Sequence, residues 1–247
     1  MYMNRTLLSV VAVLVAVLVV SRLARSGADR PDAAAAAPAS APTVTAAAQA
    51  PGGDPLAAAR ALLTQNAGQT YLDSLLNSTD SLLRRWPDRG GQAFRLAIIE
   101  GGSPDYDPRM ADFVREAVSR WESAGLGYWY SWTSDTTEAD ITFGWRKTFG
   151  LRNQAGQTDL SWDRAGNVLH ASVVLATRTG EDSLFTDEAL LDAAIHEVGH
   201  AMGMPHSTDS ADVMFPTTRT GVLTERDLAT ARLLYSLPPG SLKGPPQ

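Results

Sequence analysis

Five short runs of β-branched and aromatic residues, at 93–99, 128–132, 139–145, 157–162 and 168–176, accompany three longer stretches with the 3.6-residue apolar period of a helix. Together they predict an α+β fold with a five-stranded sheet and about three main helices. Size sets the third constraint. A chain of 247 residues, 44% hydrophobic and 19% charged, can bury one substantial core, so one folded domain with accessory segments is expected.

Residues 6–21 carry no charge and consist mainly of Val, Leu and Ala behind Arg5 and a free amino group, the pattern of an export signal or a signal anchor. A helix of that length rises about 24 Å, short of the roughly 30 Å hydrocarbon core, although Arg5 and Arg22 can snorkel. Ser26, Gly27 and Ala28 offer a cleavage site, but Arg22 and Arg25 stand close to it. Residues 1–28 therefore read as a signal peptide or a retained membrane anchor, which puts the rest of the chain outside the cytoplasm, tethered or secreted. Residues 29–54 are Ala, Pro, Thr, Ser and Gly with almost no large apolar side chain, the composition of a disordered linker.

An accessory helical segment is expected over 55–90. Leu56, Leu62 and Leu63, then Leu72, Leu75, Leu76, Leu82 and Leu83, predict two short helices at 55–66 and 71–85. Pro87 and the pair Gly90 and Gly91 interrupt the chain before Phe94, Leu96, Ile98 and Ile99 start the first strand. Asp107 and Pro108 are a helix start, a side-chain cap before a proline whose missing N–H costs nothing in the first turn. Met110, Phe113, Val114, Ala117, Val118 and Trp121 continue it on one face, and Gly125 closes it. Two strands follow across a polar turn at 134–138; the last two form a hairpin over Asp163, Arg164, Ala165 and Gly166. Phe185 and Thr186 provide a hydrophobic staple, aimed at Leu190, and a cap for the next helix. The final helix begins at Thr224 with Asp227 as its capping-box partner and runs to about Tyr235, before Pro238, Pro239 and Gly240 stop it. The main folded unit is thus 91–240, with a tail at 241–247.

The chain has four histidines, and His196, His200 and His206 fall in one short stretch. Residues i and i+4 share a helix face, so His196 and His200 aim ring nitrogens at one point. Gly203 permits the φ > 0 turn that ends a helix and lets the chain double back to deliver His206. Three neutral imidazoles are a catalytic zinc set, at about 2.0–2.1 Å, which leaves a fourth position for a water acidified to a pKa of roughly 7. Glu197, next to a ligand, is placed as the general base that takes the water's proton and passes it to a leaving amine. A structural zinc would want four closed ligands. With no cysteine and only His170 left, it would have to recruit a carboxylate.

The stretch from His196 to His206 resembles the zinc signature of the metzincin metalloproteases. Residues 207–216, with Ser207 directly after the third histidine and Val213, Met214, Phe215 and Pro216 at the end, resemble the matrixin branch through its Met-turn. Less sharply, the likeness extends over 94–235. It implies a twisted, mixed five-stranded sheet with the active-site helix behind it and a small C-terminal subdomain after the zinc motif. It also implies that Met214 is the Met-turn methionine, a hydrophobic floor under the histidines and not a ligand. Substrate would lie extended along an edge strand assigned to 157–162, with Gln157, Asp159 and Ser161 as contacts. Residues 215–220, with Phe215, Pro216 and Thr217, would wall the pocket after the scissile bond.

The function implied is a zinc-dependent endopeptidase that hydrolyses peptide bonds of proteins. A non-catalytic zinc-containing peptide-binding module and a metal-dependent amidase acting on cell-wall peptides stay open beside it. Animal matrixins hold latency through a propeptide cysteine, and this chain has no cysteine, so that route is closed. Nor is a histidine-rich structural zinc site available, because His170 stands alone. Calcium is a second candidate ion, with Asp163, Glu181, Asp182 and Asp187 as donors, although acidic turns are usually just solvated. Expected partners are protein or peptide substrates, and a membrane only through the uncleaved N-terminus. A net charge of −6, a pI near 5.2 and no basic stripe exclude nucleic acid, and the chain is expected to act as a monomer.

Overall fold

The computed structural model describes residues 54–78, 80–151, 154–217 and 220–243; the expected signal or anchor, the linker up to residue 53 and the end of the tail lie outside them. Helix α1 spans Pro55–Gln65, capped by the Asp54 side chain, which accepts a hydrogen bond from Leu56 N at 3.0 Å. The second expected accessory helix is replaced by a 3-10 turn, Leu72–Asn77, and a two-residue strand β1, Leu82–Leu83. The cause is local. Ser78 and Asp80 side chains accept hydrogen bonds from Ser81 N and Leu82 N, and Ser81 sits at φ 46°, so a continuous helix cannot form. The chain instead turns into a ladder with a strand at Gly240–Ser241, which the sequence reading took for a helix stop only.

Strand β2 (Phe94–Ile98), helix α2 (Met110–Glu122) and strands β3 (Tyr130–Trp132), β4 (Ile141–Arg146), β5 (Gly156–Trp162) and β6 (Val168–Ala176) follow, all close to their expected places. Asp107 accepts from Arg109 N at 2.9 Å in a turn ahead of α2, and the helix itself starts later than Asp107 and Pro108 predict, with Arg109 at its cap position and no side-chain cap. After these come α3 (Asp187–Ala201), α4 (Glu225–Ser236) and β7 (Gly240–Ser241). The Thr224–Asp227 capping box is present at the start of α4.

The five-stranded sheet has the order β3-β2-β4-β6-β5, with parallel pairs throughout except β5, which runs antiparallel to β6 at one edge. The mixed five-stranded α+β architecture agrees with the sequence reading. Its register aligns Phe143, Val173 and Thr158 in one cross-strand row and Trp145, Leu175 and Gly156 in the next. All six are buried. Because side chains alternate faces along a strand, Gly156, Thr158, Leu160 and Trp162 share one face of β5 and Gln157, Asp159 and Ser161 the other.

Helices α2 and α3 are joined by Trp121, which is fully buried and donates its indole N–H to the Ile195 carbonyl at 2.7 Å. Two aromatic groups finish α3. Trp86 donates to Ala201 O at 2.8 Å and Tyr235 to Met202 O at 2.7 Å, serving carbonyls that a helix end leaves without partners. Among the described residues no helix is long and apolar enough to cross a membrane.

Candidate active site

Thr186 caps α3 by accepting from Ala189 N at 3.2 Å, and Phe185 and Leu190 are both buried, as the staple requires. The helix then runs to Ala201, and Gly203, at φ 92°, turns the chain back. A side chain at Gly203 would be strained by that φ, and its Cβ would meet the Arg84 carbonyl at 2.5 Å. The turn brings His206 back to the two helical histidines: donor atoms of His196, His200 and His206 lie within 4.8 Å of one another. Among the described residues this is the one group of three or more such side chains gathered around a point.

The tautomers follow from the acceptors. His196 Nδ1–H donates to Val213 O at 2.7 Å and His200 Nδ1–H to Met204 O at 2.9 Å; a carbonyl only accepts, so both Nε2 atoms are left with lone pairs. His196 Nε2 is buried with no hydrogen-bond partner, and His200 Nε2 stands 3.1 Å from His206 Nε2. Two ligands of one tetrahedral zinc stand about 3.3 Å apart, so the spacing and the orphaned nitrogen both fit a bound cation. Burial depresses the basicity of all three rings, His196 down to about 3. They are neutral imidazoles, the form that binds metal.

Glu197 is fully buried beside them. Its Oε2 accepts from Thr158 Oγ1 at 2.7 Å, while Oε1 has no partner, and burial pushes its pKa up to about 8. Gly156 leaves the room it needs: a Cβ there would stand 2.5 Å from Glu197 Oε1. Met214 packs against the same helix, because a Cβ on Gly199 would lie 2.3 Å from its sulfur. Met214 is fully buried, and Gly199, the residue it packs against, directly precedes His200 in the helix. Met214 O accepts from Ser207 N at 2.8 Å, and Asp212, in contact with Ser207, also takes Thr224 Oγ1 at 2.9 Å and Arg226 Nη1 at 2.7 Å.

β5 is an edge strand, as assigned, but all three expected contacts, Gln157, Asp159 and Ser161, lie on the face opposite Gly156 and Thr158. Gln157 bonds the Asp159 carboxylate at 3.1 Å, and Ser161 reaches His170 O at 3.4 Å, on the face away from Glu197. Phe215, Pro216 and Thr217 are partly buried after the Met214 turn. The acidic candidates for calcium are engaged separately: Asp163 with Asn167, Asp182 with Lys147, and Asp187 with Arg109. Gly156 and Thr158 are the functional neighbours that sequence reading missed. The alternation Thr158, Leu160, Trp162 marks the inward face of β5 and is the signal that would have pointed to them.

Residues 99–236, more than half of the chain, match the peptidase family described as Matrixin. The chain is also 30% identical over 145 residues to the interstitial collagenase of Equus caballus, a likeness covering 44% of this chain and 31% of the collagenase. It spans about a third of that relative's length. The matched region holds the three histidines, Glu197 and Met214 on a fold of the same class, and the chain belongs to the matrixin family of metallopeptidases.

Proposed function

We propose that the chain is a zinc endopeptidase that cleaves extended polypeptide segments. The observation that carries this is the neutral triad, two of its rings buried and His206 partly so, with its orphaned Nε2 beside a buried carboxylate whose Oε1 is also unpartnered. His196, His200 and His206 would hold the ion, which when bound supplies a Lewis acid for the scissile carbonyl and acidifies a water.

The protein's own groups supply the rest. The carbonyls of Val213 and Met204 fix two imidazoles as Nδ1–H tautomers, so their lone pairs point at a common centre. Thr158 anchors one oxygen of Glu197 and leaves the other free to accept a proton from the attacking water and return it to the leaving nitrogen. The free edge of β5 offers main-chain hydrogen bonds to a peptide laid beside it, a mode that tolerates varied sequence. Export of the chain, with its N-terminus retained as an anchor or removed, is part of the same proposal.

Incubating the zinc-loaded chain with a proteome-derived peptide library tests it by mass spectrometry. New internal termini, lost in Glu197→Ala, are expected. A library left intact by wild type, or cut equally by the variant, contradicts the reading.

A further inference from the structure

A cavity of about 230 Å³ opens beside the histidine triad, and part of its wall comes from outside the region that matches the family. His200 and His206 line it, together with Leu160 and Trp162 of β5 and Met204 and Pro205 of the turn after α3. The remaining apolar wall is Leu75 and Leu82, from the N-terminal segment before residue 99.

This wall is fixed in place. The Arg84 guanidinium stacks 4.1 Å over the Trp162 ring and pairs with Asp80. Arg85 N donates to Gly166 O at 3.2 Å and Val168 N to Arg85 O at 2.9 Å, which ties the segment to the tip of the β5–β6 hairpin. Trp86 holds the end of α3, and the Arg84 carbonyl lies against Gly203. Leu83 is fully buried in the core, so strand alternation turns Leu82 away from the core and toward the cavity it lines.

We infer that the segment holding Leu75 and Leu82 builds a specificity pocket for one large apolar side chain of the peptide substrate. The inference rests on the peptidase reading. Three observations select this occupant. The cavity shares two of its walls, His200 and His206, with the proposed metal centre, so a peptide crossing that centre passes its mouth. Its volume is below the roughly 300–1,000 Å³ of small-molecule sites and suits a single side chain. The charges at its edge, Asp80 and Arg84, neutralise one another, which leaves the apolar lining to discriminate.

Cleavage profiling of the full chain with zinc tests this through two substitutions, Leu82→Trp to fill the cavity and Leu75→Ala to enlarge it. At one substrate position wild type selects leucine- to phenylalanine-sized side chains. Leu82→Trp lowers that preference over alanine by about tenfold or more, and Leu75→Ala shifts it toward larger side chains by at least about threefold, with other positions unmoved. If both variants, folded and holding zinc, keep the wild-type profile at every position, the pocket assignment is overturned while the peptidase reading stands. Should Leu82→Trp fail to fold, the Leu75→Ala profile decides alone: a shift supports the pocket, an unchanged profile overturns it. A wild type that cuts nothing overturns both.

Discussion

Glu197 owes its setting to neighbours that are remote in sequence. Gly156 gives it space and Thr158 holds one oxygen, so the carboxylate is positioned by the edge strand as much as by its own helix. Gly156→Ala places a methyl group 2.5 Å from Oε1, too close for the carboxylate to keep its position. We expect kcat/KM to fall by about 10- to 100-fold while folding stability drops by only about 1–3 kcal/mol. Peptide kinetics beside thermal unfolding checks the pair; unchanged kinetics would contradict it. A second carboxylate, Asp192 on the same helix, has its pKa raised to about 6, first by burial and then by Glu188. The folded state therefore holds a proton that the unfolded state has released between pH 4 and 6, and stability falls as pH rises through that window. Asp192→Asn should stabilise the chain at pH 7 by about 1 kcal/mol, after allowance for its partial exposure, and the gain should vanish below pH 4 in unfolding curves.

At the scale of elements, the turn after the third histidine is held by buried carboxylates. Asp227 receives Val213 N at 3.0 Å and Thr224 N at 2.9 Å, and Tyr71 of the N-terminal segment donates to it at 2.8 Å. Tyr71→Phe leaves one lone pair of a buried charge without its donor, and denaturant titration should show a loss of about 1–3 kcal/mol. Elements with strong local signals were legible in the sequence: Asp107 and Pro108, Thr186, the Thr224–Asp227 box and the His196–His206 stretch all report interactions made within a few residues. The histidine triad was readable because helix geometry and one glycine turn place it. The region from Leu72 to Leu83 was not. Its leucines satisfy a helical period, but Ser78, Asp80 and a distant partner at Gly240–Ser241 decide its conformation. The same holds for β5, where the choice of face depends on pairing with β6 and packing under α3.

For the whole molecule, the proposed metal centre joins the parts. His196 and His200 come from α3 and His206 from the turn beyond it, while Val213 O accepts from His196 and Met214 packs against Gly199 of the same helix. An ion that binds only this assembled state stabilises it by mass action, about 4 kcal/mol when free metal stands a thousandfold above its dissociation constant. Chelation should then lower the melting temperature by roughly 8–16 °C, reversed by zinc. The N-terminal segment belongs to the same unit, because Tyr71, Arg85 and Trp86 bond α4, the hairpin and α3.

Titrating metal-free chain with zinc, while following peptide hydrolysis and bound metal together, tests the central claim most directly. The account predicts that hydrolysis rises to a plateau at one zinc per chain, and that Glu197→Ala binds the same single zinc yet loses about 10²- to 10⁴-fold in rate. Hydrolysis that needs no zinc, or a Glu197→Ala protein as active as wild type, would contradict it.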